Sequence, residues 1–389
     1  ITVFRANAAF HADETAPATS NHIVHLVPSP DQSDILTYHK ADVPEPSGPT
    51  MDLTATNIVI ATGAKPRPLP GNPFAGALID STQALEVNEF PSSAVIIGAG
   101  AIALEFASMW NAAGSKVTLL IRKDRVLSAW DRRAGTTLTR ELKRHGVNII
   151  TRASVTHVDT GANLGATVHY TCEGQDGEQS VWGEIALVAI GRDPITDPAW
   201  GVTIDDHGHV ATDAYGRTDK PGVWAVGDVT AGHALAHRAF EQGIVIAETI
   251  AGLNPKPVDE ATVPQIVFSF PEAASVGLTV EQAQAREDLI EIKETNYPML
   301  ANARMLMSGT AGSLTIVSGC DAANPDTPRV LGVHMVSQMA SDIIAEAEQL
   351  VGNHVPLADA ARLVHPHPTF SETLGEALLK ADGRPLHTR

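Results

Sequence analysis

The chain has 389 residues, of which 43% are hydrophobic and 19% charged, and its formal net charge is −18. This composition predicts a folded protein of two or three domains and excludes a disordered chain. An acidic surface repels phosphate backbones and no apolar run approaches the ~20 residues of a membrane helix, so we expect neither a nucleic-acid nor a membrane partner. Only two cysteines occur, Cys172 and Cys320, which favours a cytoplasmic location.

The first part of the chain predicts strands that alternate with helices. An apolar β-branched run predicts a buried strand at 57–61 that ends at Thr62-Gly63. A βαβ unit follows, with a strand at 94–97, a glycine turn at 98–103, a helix at 104–113 and a strand at 116–121. Further strands at 185–190 and 222–226 precede a helix at 234–250. This alternation is typical of a parallel sheet covered by helices.

The pattern changes after about residue 260. Predicted strands at 265–270, 313–317 and 330–336 come before predicted helices at 339–351 and 371–380. Strands grouped ahead of helices indicate a separate α+β domain.

A dinucleotide-binding fingerprint, Gly98-x-Gly100-x-x-Ala103, lies between a predicted strand and a predicted helix. Gly98 allows the tight turn, Gly100 lets the backbone approach a pyrophosphate, and Ala103 keeps the helix close to the strand. A glycine turn without a ligand is the alternative, and the βαβ context favours dinucleotide binding.

The end of the second strand of this unit predicts which nicotinamide nucleotide binds. An NAD site usually places an acidic residue there, but this sequence has Ile121 followed by Arg122-Lys123-Asp124-Arg125. Because a guanidinium pairs bidentately with phosphate, the cations favour the 2′-phosphate of NADP over NAD. A solvated basic loop is the alternative.

Several segments together resemble the pyridine nucleotide–disulphide oxidoreductases, and among them the dihydrolipoyl dehydrogenase group. The segments are Ala61-Thr-Gly-Ala64, Ile190-Gly-Arg192, Gly222-Val-Trp-Ala-Val-Gly-Asp228, Ala234-Leu-Ala-His237, His365-Pro-His-Pro-Thr-Phe-Ser-Glu372 and Gly383-Arg-Pro-Leu-His387. Each is weak alone, but the resemblance covers essentially the whole chain. It implies an α/β fold with Rossmann-like flavin and nicotinamide domains and an α+β C-terminal dimerisation domain.

The resemblance also implies the cofactors, FAD and either NAD or NADP, and no metal. The cofactor-binding residues expected from it and from the fingerprint are Thr62, Gly63, Ala64, Gly98, Gly100, Ala103, Glu105, Ile121, Arg122, Val155, Gly191, Arg192, Asp228, Ala234, Leu235, Ala236 and His237. His367 would be the catalytic acid–base of the thiol reaction, and Glu372 would orient its imidazole. A capping box from Thr369 to Glu372 is the alternative role of that carboxylate, and His365 is expected to be structural.

The expected domains are a first flavin segment (1–90), a nicotinamide domain (91–190), a second flavin segment (191–258) and a dimerisation domain (259–389). We expect a homodimeric flavoenzyme that passes electrons between a dithiol or disulphide, such as a dihydrolipoyl group on a small molecule or a lipoyl domain, FAD and NAD(P). One alternative is an NADPH-dependent disulphide or metal-ion reductase.

Two motifs of the family have no counterpart in the sequence. They are the first flavin-binding GxGxxG and the Cys-x-x-x-x-Cys redox pair, and neither Cys172 nor Cys320 has a neighbouring cysteine. We therefore expect that the N-terminal segment is absent and that the chain as given is inactive. A nucleotide-binding remnant without catalysis is the corresponding alternative.

Overall fold

A computed structural model describes residues 1–11, 21–38, 44–161, 165–309 and 311–388. The chain forms two compact units, one of Ile1–Lys65 with Arg192–Glu260 and the other of Pro66–Gly191 with Ala261–Arg389. The four domain bounds expected from the sequence stay a prediction. Among the described residues, no helix is long and apolar enough to cross a membrane.

The strands of the described chain are numbered in sequence order. They are β1 (Val3–Arg5), β2 (Asn7–Phe10), β3 (His22–Val27), β4 (Leu36–Tyr38), β5 (Pro44–Pro46), β6 (Met51–Ala55), β7 (Ile58–Ile60), β8 (Ala64–Pro66), β9 (Leu78–Ile79), β10 (Ser93–Ile97), β11 (Lys116–Leu120), β12 (Asn148–Ile150), β13 (Ala153–Asp159), β14 (Ala166–Cys172), β15 (Gln179–Gly183), β16 (Ile185–Val188), β17 (Arg192–Pro194), β18 (Val223–Ala225), β19 (Gln265–Val267), β20 (Glu272–Gly277), β21 (Leu289–Pro298), β22 (Ser313–Asp321) and β23 (Asn324–Ser337).

The helices of the same residues are numbered in the same way. They are α1 (Ser81–Leu85), α2 (Ala101–Ala112), α3 (Arg132–Arg144), α4 (Ala236–Ile250), α5 (Val280–Gln284), α6 (Ala303–Ser308), α7 (Ala340–Gly352), α8 (Leu357–Ala360) and α9 (Glu372–Ala381). Single 3₁₀ turns occur at Pro198–Trp200, Gly227–Val229, Glu260–Thr262 and Met299–Ala301.

The first unit contains two small antiparallel sheets, the strand pair β8-β17 and one parallel strand pair. The antiparallel sheets have the strand orders β1-β4-β5 and β2-β3-β6. The parallel pair joins β7 to β18, with Ile58 opposite Val223 and Ile60 opposite Ala225. Since the two strands run in the same direction, the residues that follow Ile60 and Ala225 emerge at one edge.

The second unit contains the βαβ unit predicted from the sequence. Strands β12, β11, β10, β16 and β9 form a sheet in that order, and its neighbouring strands are parallel. Helix α2 begins directly after the turn that follows β10, and its alanine, leucine, glutamate and methionine residues favour helix formation. Its buried face includes Leu104, Ala107 and Trp110, which follow helical spacing. Burial of a side chain such as Leu104 contributes roughly 1.5–3 kcal/mol.

The turn between β10 and α2 requires glycine at one position. Gly98 has a φ of +144°, and a Cβ on it would lie 2.2 Å from the carbonyl oxygen of Ala189. Ala103, fully buried, would itself lie 3.3 Å from that Cβ. The helix can therefore approach the sheet this closely only because residue 98 has no side chain and residue 103 has a small one.

The rest of the second unit is antiparallel. Strands β13, β14 and β15 form a three-stranded meander, and β19-β20-β23-β22-β21 form a five-stranded sheet. Helices α7 and α9 bury apolar faces against this larger sheet, in a core that contains Ile343, Ala347 and Leu374. The α/β class and the α+β C-terminal region predicted from the sequence are confirmed.

Most predicted elements have a counterpart, but several are shorter than their hydrophobic runs. The strand predicted at 185–190 ends at Val188, and the one predicted at 265–270 ends at Val267. The pattern underestimated two strands instead, because β22 and β23 extend as a hairpin beyond their apolar cores. Backbone pairing, which apolar spacing does not report, sets these ends.

We predict that Gly98→Ala lowers the free energy of unfolding by about 1–3 kcal/mol or more. Alanine would have a strained φ at this position, and its Cβ would clash with the carbonyl oxygen of Ala189. Gly100→Ala is the matched control, since its φ is −92° and no atom lies within 4 Å of the new Cβ. It should change stability by less than about 1 kcal/mol. Urea denaturation of both variants measures the difference, and equal losses would contradict the prediction.

Candidate functional site

The N-terminus of α2 has the features that a pyrophosphate needs. Gly100 is its N-cap residue and makes no side-chain capping bond, so the first backbone N–H groups of the helix have no side-chain acceptor there. The space around the missing Cβ of Gly100 is open to 4 Å. These free donors, the positive end of the helix and the open space fit the phosphates of a dinucleotide.

Glu105, on the same helix, has a structural contact that the sequence does not reveal. Its Oε1 accepts a hydrogen bond of 3.0 Å from the backbone N–H of Phe268. The Ser108 hydroxyl likewise accepts from the N–H of Phe270 at 3.2 Å. Glu105 therefore holds α2 against the segment after β19, in addition to any role in nucleotide binding.

The basic loop after β11 contains two kinds of cation. Arg122 and Lys123 are exposed, and their side chains make no hydrogen bond or ion pair with any described residue. Arg125 is used inside the loop, where its guanidinium donates to Asp124 at 3.3 Å and to the Ser128 carbonyl at 3.1 Å. Ile121 is buried. Two of the three cations are thus available to a phosphate.

Of the remaining nucleotide candidates of this unit, one lies within a strand and one follows a strand. Val155, on β13, is half-buried and packs against the core that underlies the parallel sheet. Gly191 follows β16, has a φ of +134° and accepts a hydrogen bond from the N–H of Arg67 at 3.1 Å.

The carboxyl edge of β7 and β18 in the first unit brings together two of the predicted flavin motifs. Thr62 and Gly63 follow one strand, and Gly227 and Asp228 follow the other. Asp228 is half-buried and has no hydrogen-bonding or ionic partner among the described residues. A partly buried carboxylate without a partner at this edge fits a ligand with hydroxyl groups, such as the ribityl chain of FAD.

Contacts within the first unit hold the Thr62 segment in place. The Thr62 hydroxyl donates to the Ile195 carbonyl at 2.6 Å, and Ile195 N–H donates to the Gly63 carbonyl at 2.9 Å. The guanidinium of Arg192 donates to the carbonyl of Ala64. Three candidate residues for FAD are therefore bonded to Arg192, at the start of β17, or to Ile195, directly after it.

The segment predicted to lie along the flavin leads into α4. Ala234, Ala236 and His237 are exposed, and Leu235 is the N-cap residue without a side-chain cap. The adjoining Arg238 is buried, and its guanidinium donates to Glu260 at 2.6 Å. This ion pair between a buried guanidinium and an exposed carboxylate fixes the start of the helix, while the residues before it remain open to a ligand.

His367 and Glu372 form a hydrogen-bonded pair in the second unit. The Nδ1 atom of His367 lies 2.8 Å from Oε1 of Glu372. The imidazole side chain is 67% exposed whereas the carboxylate is 15% exposed. The Nε2 atom makes no bond with any described residue, so it faces solvent as a free proton donor or acceptor.

Helix capping accounts for only part of this arrangement. Glu372 is the first residue of α9, and its backbone N–H donates to the Thr369 hydroxyl at 3.3 Å. Its side chain does not return to Thr369, which a capping box requires, but bonds His367.

Asn302 is a residue of this site that the sequence analysis missed. It is buried and caps α6 by accepting from the Met305 N–H at 3.1 Å. Its amide nitrogen donates to the Thr369 carbonyl at 3.1 Å and to Oε2 of Glu372 at 3.4 Å. An asparagine before a helical run signals a cap, but no sequence pattern signals that its second group reaches residue 372.

Two further histidines near the C-terminus pair with carboxylates. The hydrogen bond that Nε2 of His365 donates to Glu346 raises the pKa of this histidine, whose side chain is only 9% exposed. The hydrogen bond to Glu376 raises the pKa of His387. Glu376 is buried and also accepts from the Tyr297 hydroxyl at 2.9 Å, and burial raises the pKa of that tyrosine.

The predicted site residues thus divide between the two units. Thr62, Gly63, Ala64, Arg192, Asp228 and the segment 234–237 lie in the first, and the other nucleotide candidates and the His367–Glu372 pair lie in the second. Cys172 and Cys320 are both buried and unpaired.

Two family models match the chain. The model described as pyridine nucleotide-disulphide oxidoreductase covers residues 20–243, and the dimerisation domain of the same family covers residues 263–378. A dihydrolipoyl dehydrogenase from Cupriavidus necator is 38% identical over 341 residues, which span 86% of this chain and 70% of that protein.

Solved structures with the same fold include the following two. LpdA from Mycobacterium tuberculosis is 25% identical, with a TM-score of 0.80 over 96% of this chain and 76% of that one. The HOCl-induced flavoprotein disulphide reductase RclA from Escherichia coli, solved as a Cu(II) complex, is 25% identical, with a TM-score of 0.77 over 96% of this chain and 77% of that one.

We predict that Asn302→Ala lowers the free energy of unfolding by about 0.5–2 kcal/mol, because it removes the cap of α6 and a donor to Glu372. Asn302→Asp is the matched variant that keeps the capping oxygen but faces the carboxylate of Glu372 with a second negative charge. The stability advantage of Asn302→Asp over Asn302→Ala should be larger at pH 5 than at pH 8, since protonation of one of the two facing carboxylates relieves the repulsion. Urea denaturation at the two pH values measures this, and a pH-independent difference would contradict it.

Proposed function

The chain belongs to the family of pyridine nucleotide–disulphide oxidoreductases, and we propose that it acts in dihydrolipoyl oxidation, with electrons passing through FAD to a nicotinamide nucleotide. The family uses FAD and NAD(H). The observation that carries this assignment is the His367–Glu372 pair, in which one imidazole nitrogen is bonded to a carboxylate and the other is free.

The chemistry of a dithiol explains why such a pair is needed. A thiol attacks a disulphide only as the thiolate, so a base has to remove its proton. The disulphide attacked would be the family's Cys-x-x-x-x-Cys pair, which has no counterpart in the residues given, since Cys172 and Cys320 are buried and unpaired. We propose that Nε2 of His367 takes this proton, while Glu372 holds Nδ1 protonated and stabilises the imidazolium that forms. Asn302 is a positioning residue, since its amide donates to Glu372 and not to the imidazole.

Bound FAD would supply the two-electron relay between nucleotide and disulphide. The residues that fit it are Asp228 for the ribityl hydroxyls, Thr62 and Gly63 at the neighbouring strand end, and the segment 234–237. The nicotinamide nucleotide would place its pyrophosphate at Gly98 and Gly100.

Exposed apolar side chains near the histidine support a homodimer. Leu300, Leu306 and Met307 are 58%, 62% and 68% exposed, and Val364 is 96% exposed. These residues lie in the segments that Asn302 joins to the start of α9. The chain carries the family's dimerisation domain, and we propose that a two-fold related copy covers this surface.

A second candidate is an NADPH-dependent disulphide or metal-ion reductase. The exposed, unpaired Arg122 and Lys123 favour it, because they fit a 2′-phosphate. The likeness to a disulphide reductase solved as its Cu(II) complex points in the same direction.

We predict that the purified chain binds NADPH at least as tightly as NADH and that Arg122→Glu reverses this order. Lys116→Glu is the matched control, since Lys116 is also exposed. It lies at the first residue of β11, whereas Arg122 follows the last residue of that strand. It makes the same change in net charge and should leave the ratio of the two dissociation constants unaltered. Fluorescence titration with each nucleotide gives the ratio. Tighter NADH binding that Arg122→Glu does not change would remove the second candidate.

We predict that His367→Gln, in a form of the protein that carries the family's first flavin motif and Cys-x-x-x-x-Cys pair, slows dithiol oxidation by about 10²–10⁴-fold and leaves hydride transfer from the nucleotide to the flavin nearly unchanged. The control is His25→Gln, because His25 is also exposed and bonded to a carboxylate, Asp52, at 2.6 Å. Stopped-flow absorbance separates the two half-reactions. Equal slowing of both would mean that His367 has a structural role only.

A further inference from the structure

Two histidines and two carboxylates form a cluster on the β13-β14-β15 meander that the proposed function does not use. The rings of His157 and His169 stack with their centroids 4.1 Å apart and their planes at 8°. Asp159 lies on the Nε2 side of both rings, with Oδ2 3.2 Å from Nε2 of His169 and 3.9 Å from Nε2 of His157. Glu178 lies on the Nδ1 side of both rings, at 3.8 Å from His157 and 3.6 Å from His169.

A β-bulge brings these side chains to one face of the sheet. Strict alternation from buried Ala153 and half-buried Val155 would turn residues 157 and 159 inward as well. The register shifts between Val155 and His157, so that His157 and Asp159 point to solvent instead. His169, on the outward face of β14, is the direct cross-strand partner of His157.

We propose that His157, Asp159 and His169 bind a divalent transition-metal ion of the zinc or copper class. Their ligand atoms lie within 4.8 Å of one another. A tetrahedral ion with bonds of ~2.0–2.1 Å separates its ligands by about 3.3 Å. The Asp159–His169 distance already matches. Because the two rings are stacked and nearly parallel, their in-plane lone pairs do not converge, so binding requires the exposed His157 ring to turn out of the stack and direct its Nε2 at the ion. A water molecule would complete the coordination.

Glu178 gives the cluster the second feature of a metal site. Because it lies on the Nδ1 side of both rings, its charge favours the tautomer with the proton on Nδ1 and a lone pair on Nε2. The hydroxyl of Thr156 donates to Glu178 at 2.7 Å and holds that carboxylate in place. A metal-bound histidine usually has such a carboxylate on its other nitrogen.

The donor set selects the class of ion. Two imidazoles and one carboxylate suit zinc and copper, whereas magnesium and calcium prefer oxygen ligands. Cys172 also lies on β14, but it is buried and alternation places it on the opposite face from His169. Its thiol is therefore not a ligand of this site. The net charge of −18 raises the local concentration of cations.

Calorimetric titration of the purified chain with ZnCl2 at pH 7 tests the proposal. We expect one zinc site that Glu178→Gln weakens by about 10–100-fold, as is typical when the carboxylate beside a metal-binding histidine is lost. His157→Ala and His169→Ala should each weaken it further. Lowering the pH to 5 should also weaken binding, because the histidines must be neutral to bind the ion. His25→Ala, which removes an exposed histidine with a single carboxylate partner, should leave this site unchanged.

Diffraction data at the zinc absorption edge locate the ion. A peak within about 2.3 Å of both Nε2 atoms is the expected result. Unchanged affinity and stoichiometry in both histidine variants, a zinc peak only elsewhere, or no bound zinc would each overturn the proposal. Circular dichroism checks that the variants fold, and His169→Gln, which keeps side-chain volume, replaces any alanine variant that does not.

Discussion

The close approach of α2 to the parallel sheet is the constraint on which the second unit depends. It requires a residue without a side chain at Gly98, whose Cα faces the carbonyl of Ala189. The same helix is held on its other side, where the backbone after β19 donates to Glu105 and Ser108. The apolar cluster that contains Leu104 of this helix also contains Val267 and Val336 of the five-stranded antiparallel sheet. A helix fixed from both sides keeps its N-terminal amides rigid, so a dinucleotide would meet preorganised donors.

The start of α9 fixes the orientation of the exposed His367 side chain in a comparable way. A side chain that is 67% exposed loses rotational freedom only if something bonds it, and Glu372 does so from a mostly buried position. That carboxylate is in turn oriented by Asn302, whose own position is set by the cap of α6. The reactive nitrogen can therefore remain in solvent while its orientation is determined by buried groups.

The sequence predicted the elements that depend on local pattern and on the glycine fingerprint. The helix at α2, the strands around it and the pairing of His367 with Glu372 all follow from spacing or from the family motif. It did not predict Asn302 or the second bond of Glu105, because these join residues far apart in the chain. Nor could alternation reveal the bulge after Val155, since one inserted residue reverses which face is exposed.

The histidines paired with carboxylates show that pairing alone does not define a role. In His365 the ring is almost buried, with Nε2 bonded to Glu346 and the other nitrogen against Gly375, so no atom is left for chemistry. His367 has the same partner type but a free, exposed nitrogen, and it can exchange protons. In the cluster on the meander, the Nε2 atoms of two rings lie beside one carboxylate, and the proposed ion site rests on these three groups. The atom left unbonded, and what surrounds it, decides between structure, acid–base chemistry and ligation.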